Sequence, residues 1–190
     1  MRAVEKVDLP MRCIYALVIG VALLVTIPGV AAAAPSPRSA ANQQAVDSVI
    51  ARGLSQRGVP FSYGGGDANG PTKGSGTADN VAGLDREGHV VGLNPAVSTV
   101  GFDASGLMVY SFAGIGVKLP RSSGAQYTVG QKVLPSEALP GDLIFYGPNG
   151  NQSVALYLGN GQMLEATEPA VTVSAVRTTN MAPYLVRIIK

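Results

Sequence analysis

Residues 140–166 read PGDLIFYGPNGNQSVALYLGNGQMLEA, and this stretch decides the fold. Its apolar runs, Asp142 to Tyr146, Val154 to Leu158 and Gln162 to Ala166, are separated by Gly147-Pro148-Asn149-Gly150-Asn151 and by Gly159-Asn160-Gly161. Short runs of this kind, bounded by Gly, Pro and Asn, predict strands, and the Asn-Gly pairs supply the positive φ that tight hairpins need. Further runs at Val171 to Ser174 and Leu185 to Ile189 carry the pattern on. The expectation is an antiparallel sheet of about five to six strands.

Upstream the periodicity changes. From Gln43 to Gln56, Ala45, Val46, Val49, Ile50 and Leu54 recur at helical spacing, so an amphipathic helix stopped near Gly53 or Gly58 is expected. Asp103 is an N-cap residue placed before Ala104, Leu107, Met108, Phe112 and Ala113, which form a second helical face ending at Gly114 or Gly116. Between them, residues 64–100 are dominated by Gly, Asn, Asp, Thr and Ser and predict a long irregular loop. Helices first and an antiparallel sheet afterwards make the class α+β.

The front of the chain is different again. Ile14 to Val30 carries no charge, follows Met11-Arg12 and ends in Ala31-Ala32-Ala33-Ala34-Pro35. This is the pattern of a cleaved export signal over residues 1–34; a retained membrane anchor fits less well, because Pro28-Gly29 breaks the run. Met11 is an alternative start. A polar arm at 35–42 and a single domain at 43–190 complete the expected organisation, and the protein is expected to be secreted to the periplasm or cell wall, with no stable membrane anchor, as a monomer.

Composition then narrows the chemistry. The only cysteine, Cys13, lies at the edge of the signal, and His89 is the only histidine. After cleavage no thiol remains as nucleophile or metal ligand and no His cluster exists, so neither a metal nor an organic cofactor is expected. The chain has 14 Lys and Arg against 12 Asp and Glu. Loss of Arg2, Lys6, Arg12, Glu5 and Asp8 with the signal leaves 11 against 10, without a basic stripe, so nucleic acid is not an expected partner.

Four motifs in order carry a resemblance. Gly58-Val59-Pro60-Phe61-Ser62-Tyr63-Gly64-Gly65, Gly101-Phe102-Asp103-Ala104-Ser105-Gly106-Leu107, Pro140 to Tyr146, and Ser153 to Gly159 leading to Met163-Leu164-Glu165-Ala166 together resemble the NlpC/p60 family of cell-wall peptidases. The resemblance implies a papain-like fold with a Cys nucleophile at a helix start, a His base on the sheet and a third residue orienting the His. A thiolate gains from a helix N-terminus and a neighbouring imidazole, which is why the family places them so. Carried onto this sequence, the nucleophile position is Ala104, the base position is Ser153 and the orienting position is Glu165. Nucleophile and base are both replaced. Phe61, where many active relatives have Tyr, departs in the same direction.

The implied groove consists of Phe61, Tyr63, Asp103, Ala104, Ser105, Arg121, Ser122, Ser153 and Glu165. If the last hairpin is centred on Asn160, Ser153 and Glu165 are diagonal neighbours on one sheet face. Glu165 then either binds an amine of a stem peptide or is a structural carboxylate bonded to Ser153 and backbone amides. Arg121, in Leu119-Pro120-Arg121-Ser122, is either a fork for ligand carboxylates or a solvated loop arginine. Tyr127, Tyr146 and Tyr157 are expected to pack, leaving Tyr63 as the aromatic site candidate. Ser105 is expected to assist the helix cap, and His89, in the charged run Arg86-Glu87-Gly88-His89, to be solvated instead of serving as a substitute base. The function implied is non-catalytic binding of peptidoglycan; the alternatives are regulation of a partner cell-wall hydrolase and an endopeptidase of unconventional mechanism.

Overall fold

Ser39 opens the first helix: its Oγ accepts the Asn42 N–H at 3.2 Å, and α1 runs from Ala40 to Leu54. In this computed structural model, residues 38–75, 83–84, 90–91 and 95–190 are described. The expected signal at 1–34 and His89 lie outside the described residues. Helix α1 begins inside the segment expected as a polar arm, because Ser39 is a good cap and Arg38 is tied down. The Arg38 guanidinium donates to the Pro140 carbonyl at 2.6 Å and to Asp142 at 3.3 Å. Val46 and Val49 of α1 are fully buried, with Ala45, Ile50 and Leu54 packed around them. The helix ends at Leu54, near Gly53 as expected, and this glycine has a second use. It lets the sheet approach, since a Cβ there would sit 2.7 Å from Leu164 Cδ2 and 2.9 Å from Ser111 Oγ.

The excursion at 64–100 is more ordered than expected where it is described. Thr72–Lys73 (β1) pairs antiparallel with Val100–Gly101 (β4), and Gly83–Leu84 (β2) pairs with Val90–Val91 (β3). Two-residue ladders are too short to leave a periodic signature in the sequence. Ser62, almost completely buried, pins the excursion by donating to the Ala96 and Thr99 carbonyls, 3.1 and 2.8 Å away.

Helix α2, Ala104–Ala113, starts on the Asp103 cap and ends at Gly114 as its sequence implies. A third helix, Ser123–Tyr127 (α3), capped by Ser122, was not expected. Its five residues include Gly124 and carry no repeat to detect. The remaining chain builds β5 (Gln131–Val133), β6 (Leu143–Tyr146), β7 (Ser153–Gly159), β8 (Gln162–Ala166), β9 (Val171–Ala175) and β10 (Leu185–Arg187). They form one antiparallel six-stranded sheet in the order β5-β10-β6-β7-β8-β9. Strand β5 escapes a sequence reading because it is a short edge with only Val133 buried. Both hairpin turns take the expected positive φ, at Gly147, Asn149 and Gly150 and at Gly159, Asn160 and Gly161.

Both faces of this sheet are covered, which is why all four residues of β6 are buried. Leu143, Phe145, Val154, Leu156, Leu164 and Ala166 face a core completed by Val46, Val49, Leu107, Met108 and Phe112 of the helices. Ile144, Tyr146, Ala155 and Met163 face a second cluster with Val133 and Leu185. Tyr127 packs edge-on to Phe145 with ring centroids 5.1 Å apart, so Tyr127 and Tyr146 are packing residues as expected.

One buried ion network ties the fold together. Asp142 is fully buried and accepts from Arg187 Nε and Nη2 at 2.9 and 2.8 Å besides Arg38. It joins the start of α1 to β6 and β10. Losing one partner of such a buried group costs about 3–5 kcal/mol. Among the described residues, no helix is long and apolar enough to cross a membrane.

Candidate ligand-binding groove

The start of α2 is locked to the 61–66 loop through Asp103. Oδ1 of Asp103 accepts from the Gly106 N–H (2.6 Å), Ser105 Oγ (3.0 Å) and Arg121 Nη1 (2.9 Å). Oδ2 accepts from the Gly64 N–H (3.0 Å) and Arg121 Nη2 (2.9 Å). Arg121 also donates to Ser105 Oγ and to the Gly65 carbonyl, each at 2.9 Å, and the Asp103 N–H donates to that same carbonyl at 2.9 Å. The backbones approach so closely that a Cβ on Gly106 would lie 2.2 Å from the Gly65 oxygen. This explains why glycine follows Ser105 in the motif. Buried Gln126 of α3 braces the same turn by donating to the Ser105 and Pro120 carbonyls at 3.1 and 2.8 Å.

A groove of about 440 Å³ opens above this turn. It brings together eight of the nine candidates: Phe61, Tyr63, Asp103, Ala104, Ser105, Arg121, Ser122 and Ser153. The Ala104 methyl and the Ser153 hydroxyl line it together, one from the first turn of α2 and the other from the start of β7. Tyr63 is 51% exposed at its rim. The sequence reading missed Ser75, Asn151, Gln152 and Thr167, which also line it. Asn151 and Gln152 precede Ser153 directly, and that adjacency was the available signal.

Arg121 is 42% exposed, as expected of a solvated loop arginine, but it is also bonded. Its fork is closed on Asp103 instead of standing open for a ligand. Ser105 helps the cap as expected, its proton directed at Asp103. No imidazole or thiol lines the groove among the described residues, and they contain no group of three or more His, Cys, Asp and Glu able to hold a metal.

Glu165 is the ninth candidate, and it does not line this groove. The pairing of Leu156 with Leu164 and Tyr157 with Met163, continued toward Ser153, puts Ser153 and Glu165 on one sheet face, as expected. The carboxylate, however, is only 3% exposed and bonds to Ser174 Oγ (2.6 Å) and, through both oxygens, to Arg177 (2.6 and 2.7 Å). The expected bond partners, Ser153 and backbone amides, are thus replaced by a diagonal cross-strand hydroxyl and a guanidinium. Burial pushes the Glu165 carboxyl up, but the bonds from Arg177 and Ser174 and the charge of Arg177 outweigh it and hold it below its ordinary value. Arg177 in turn lies 4.8 Å from the Tyr146 ring centroid, a cation–π contact.

Comparison with known proteins agrees with this architecture. Residues 58–190 match the NlpC/P60 family. The chain is 50% identical over 177 residues to the peptidoglycan endopeptidase RipB of Mycobacterium tuberculosis, covering 87% of this chain and 66% of RipB. It is 51% identical over 150 residues to the peptidoglycan endopeptidase RipA of the same species, covering 78% of this chain and 28% of RipA. It therefore spans less than two thirds of the length of either relative. Among solved structures it resembles RipD from M. tuberculosis, described as a non-catalytic NlpC/p60 domain protein adapted to peptidoglycan binding. The sequence identity is 60%, the TM-score is 0.65, and 77% of this chain and 98% of that one are covered. Motif order, helix-on-sheet topology and the match over most of its length place this chain in the NlpC/P60 family.

Proposed function

We propose that this protein is a non-catalytic member of its family that binds peptidoglycan in the cell envelope. The observation that carries the reading is that Ala104 and Ser153 line one groove, framed by the bonded turn of Asp103, Arg121 and Gly65. Bond cleavage in a papain-like site needs a nucleophilic sulfur and a base to activate it, and a methyl and a hydroxyl with no imidazole beside it among the described residues supply neither. Binding needs only shape and polar lining, and both remain. Likeness to RipD supports the reading. Likeness to RipA and RipB, which are endopeptidases, supports only the fold, because the chemistry resides in the residues of the site. Export over residues 1–34 would deliver the domain to its ligand.

The test is co-sedimentation with insoluble peptidoglycan of the wild type, Ala104→Trp, which fills the groove floor, and Tyr63→Ala, which removes an exposed rim aromatic. Wild type should pellet saturably and both variants should bind less while keeping their thermal unfolding midpoints. Equal binding by all three would refute the groove as the site. Glu165→Gln should leave binding unchanged, since Glu165 is occupied by Arg177 and Ser174.

A further inference from the structure

We infer that the groove selects uncharged, carboxamide-bearing peptide over the corresponding carboxylate. The inference rests on the groove being the binding site. A guanidinium has five N–H donors. Both Nη atoms of Arg121 are committed twice over, Nη1 to Asp103 Oδ1 and Ser105 Oγ, and Nη2 to Asp103 Oδ2 and the Gly65 carbonyl. Only Nε–H remains, so the fork cannot take a second carboxylate. The other attraction for an anion, the N-terminus of α2, is met by the same Asp103, which accepts the Gly106 N–H. The groove contains a carboxylate site, and the protein fills it with its own side chain.

The rest of the described lining is neutral. Ser75, Ser122, Asn151, Gln152, Ser153 and Thr167 offer hydroxyls and side-chain amides. These groups both donate and accept, which suits a carboxamide, itself one acceptor and two donors. A carboxylate entering the same space loses water and finds no free cation among the described lining residues, because Arg121, 42% exposed, already shares its charge with Asp103, 15% exposed. Selection against the acid thus comes from lost hydration that no free charge repays, while the amide gains paired hydrogen bonds.

The experiment titrates the purified protein by calorimetry with two synthetic peptidoglycan stem tetrapeptides that differ only in having free or amidated side-chain carboxyls. The amidated peptide should bind about tenfold more tightly or better, with the preference retained from low to high salt. Asp103→Asn, checked for folding by thermal denaturation, releases the Arg121 fork and should shrink the ratio at least about threefold, mainly by improving the acid. Equal or tighter binding of the acid by the native protein would overturn the inference, and an unchanged ratio in Asp103→Asn would overturn its cause. If neither peptide binds while whole peptidoglycan still pellets the protein, the inference fails and the envelope-binding reading stands. If nothing pellets, both fail.

Discussion

Replacing Asp103 by alanine is the perturbation with the widest reach. The carboxylate accepts from Gly106, Ser105, Arg121 and Gly64, so its removal acts at three places. Loss of the cap on α2 costs about 1 kcal/mol. The Gly64 N–H loses its partner at about 1 kcal/mol. The ion pair to Arg121, whose side chain is 42% exposed, adds about 0.5 kcal/mol after allowance for solvent. The expected loss is about 2–3 kcal/mol, measured by urea denaturation with the midpoint shifted and the slope unchanged. Freed from Asp103, the 61–66 loop should exchange its amide hydrogens faster and present Tyr63 less uniformly, so peptidoglycan binding should fall as well. A loss below about 0.5 kcal/mol, with the Gly64 amide as protected as before, would refute the idea that Asp103 holds loop and helix together.

Other substitutions probe separate parts. Gly106→Ala gains about 1 kcal/mol of helix propensity yet forces a methyl onto the Gly65 oxygen, and a net loss of about 2 kcal/mol is expected in the same denaturation assay. Glu165→Gln breaks a bidentate pair whose arginine is 49% exposed and able to rehydrate, so about 1–2 kcal/mol should be lost at pH 7. Because the folded Glu165 carboxyl titrates below its ordinary value, its contribution is complete above the unfolded carboxyl's pKa of about 4.3 and disappears as pH falls through the folded value. The wild-type and Glu165→Gln stabilities should therefore converge on acidification, and a gap that widens would contradict the sign. In the double variant Ala104→Cys, Ser153→His, the introduced thiol should alkylate several-fold faster near pH 7 than in Ala104→Cys alone; equal rates would mean that helix start and strand start do not meet across the groove.

The legible part of this protein was set by local rules. Asn-Gly turns bound β6, β7 and β8, and Asp103 sits where a cap must be, so these elements emerge from spacing alone. That Ala104 and Ser153 share one groove was legible through motif order. Elements held by a few distant bonds were not: β1 with β4, the edge strand β5, and α3, each too short for a period. The fates of Arg121, Glu165 and Asp142 were also out of reach. An isolated arginine in a loop and a glutamate in a strand look solvated or ligand-facing, and only the fold shows that Asp103 and Arg177 have taken them. Asp142 stood in a recognised motif without a role until Arg38 and Arg187, far away in sequence, closed on it.

Retention without turnover is the central claim, and a single incubation measures both. Purified protein is mixed with insoluble peptidoglycan across a salt series, and the pellet is assayed for protein while the supernatant is assayed over time for soluble peptide and glycan fragments. The expected result is saturable retention that survives high salt with no fragment release. Release that grows with time and protein concentration, or absence of retention at every salt, would contradict it.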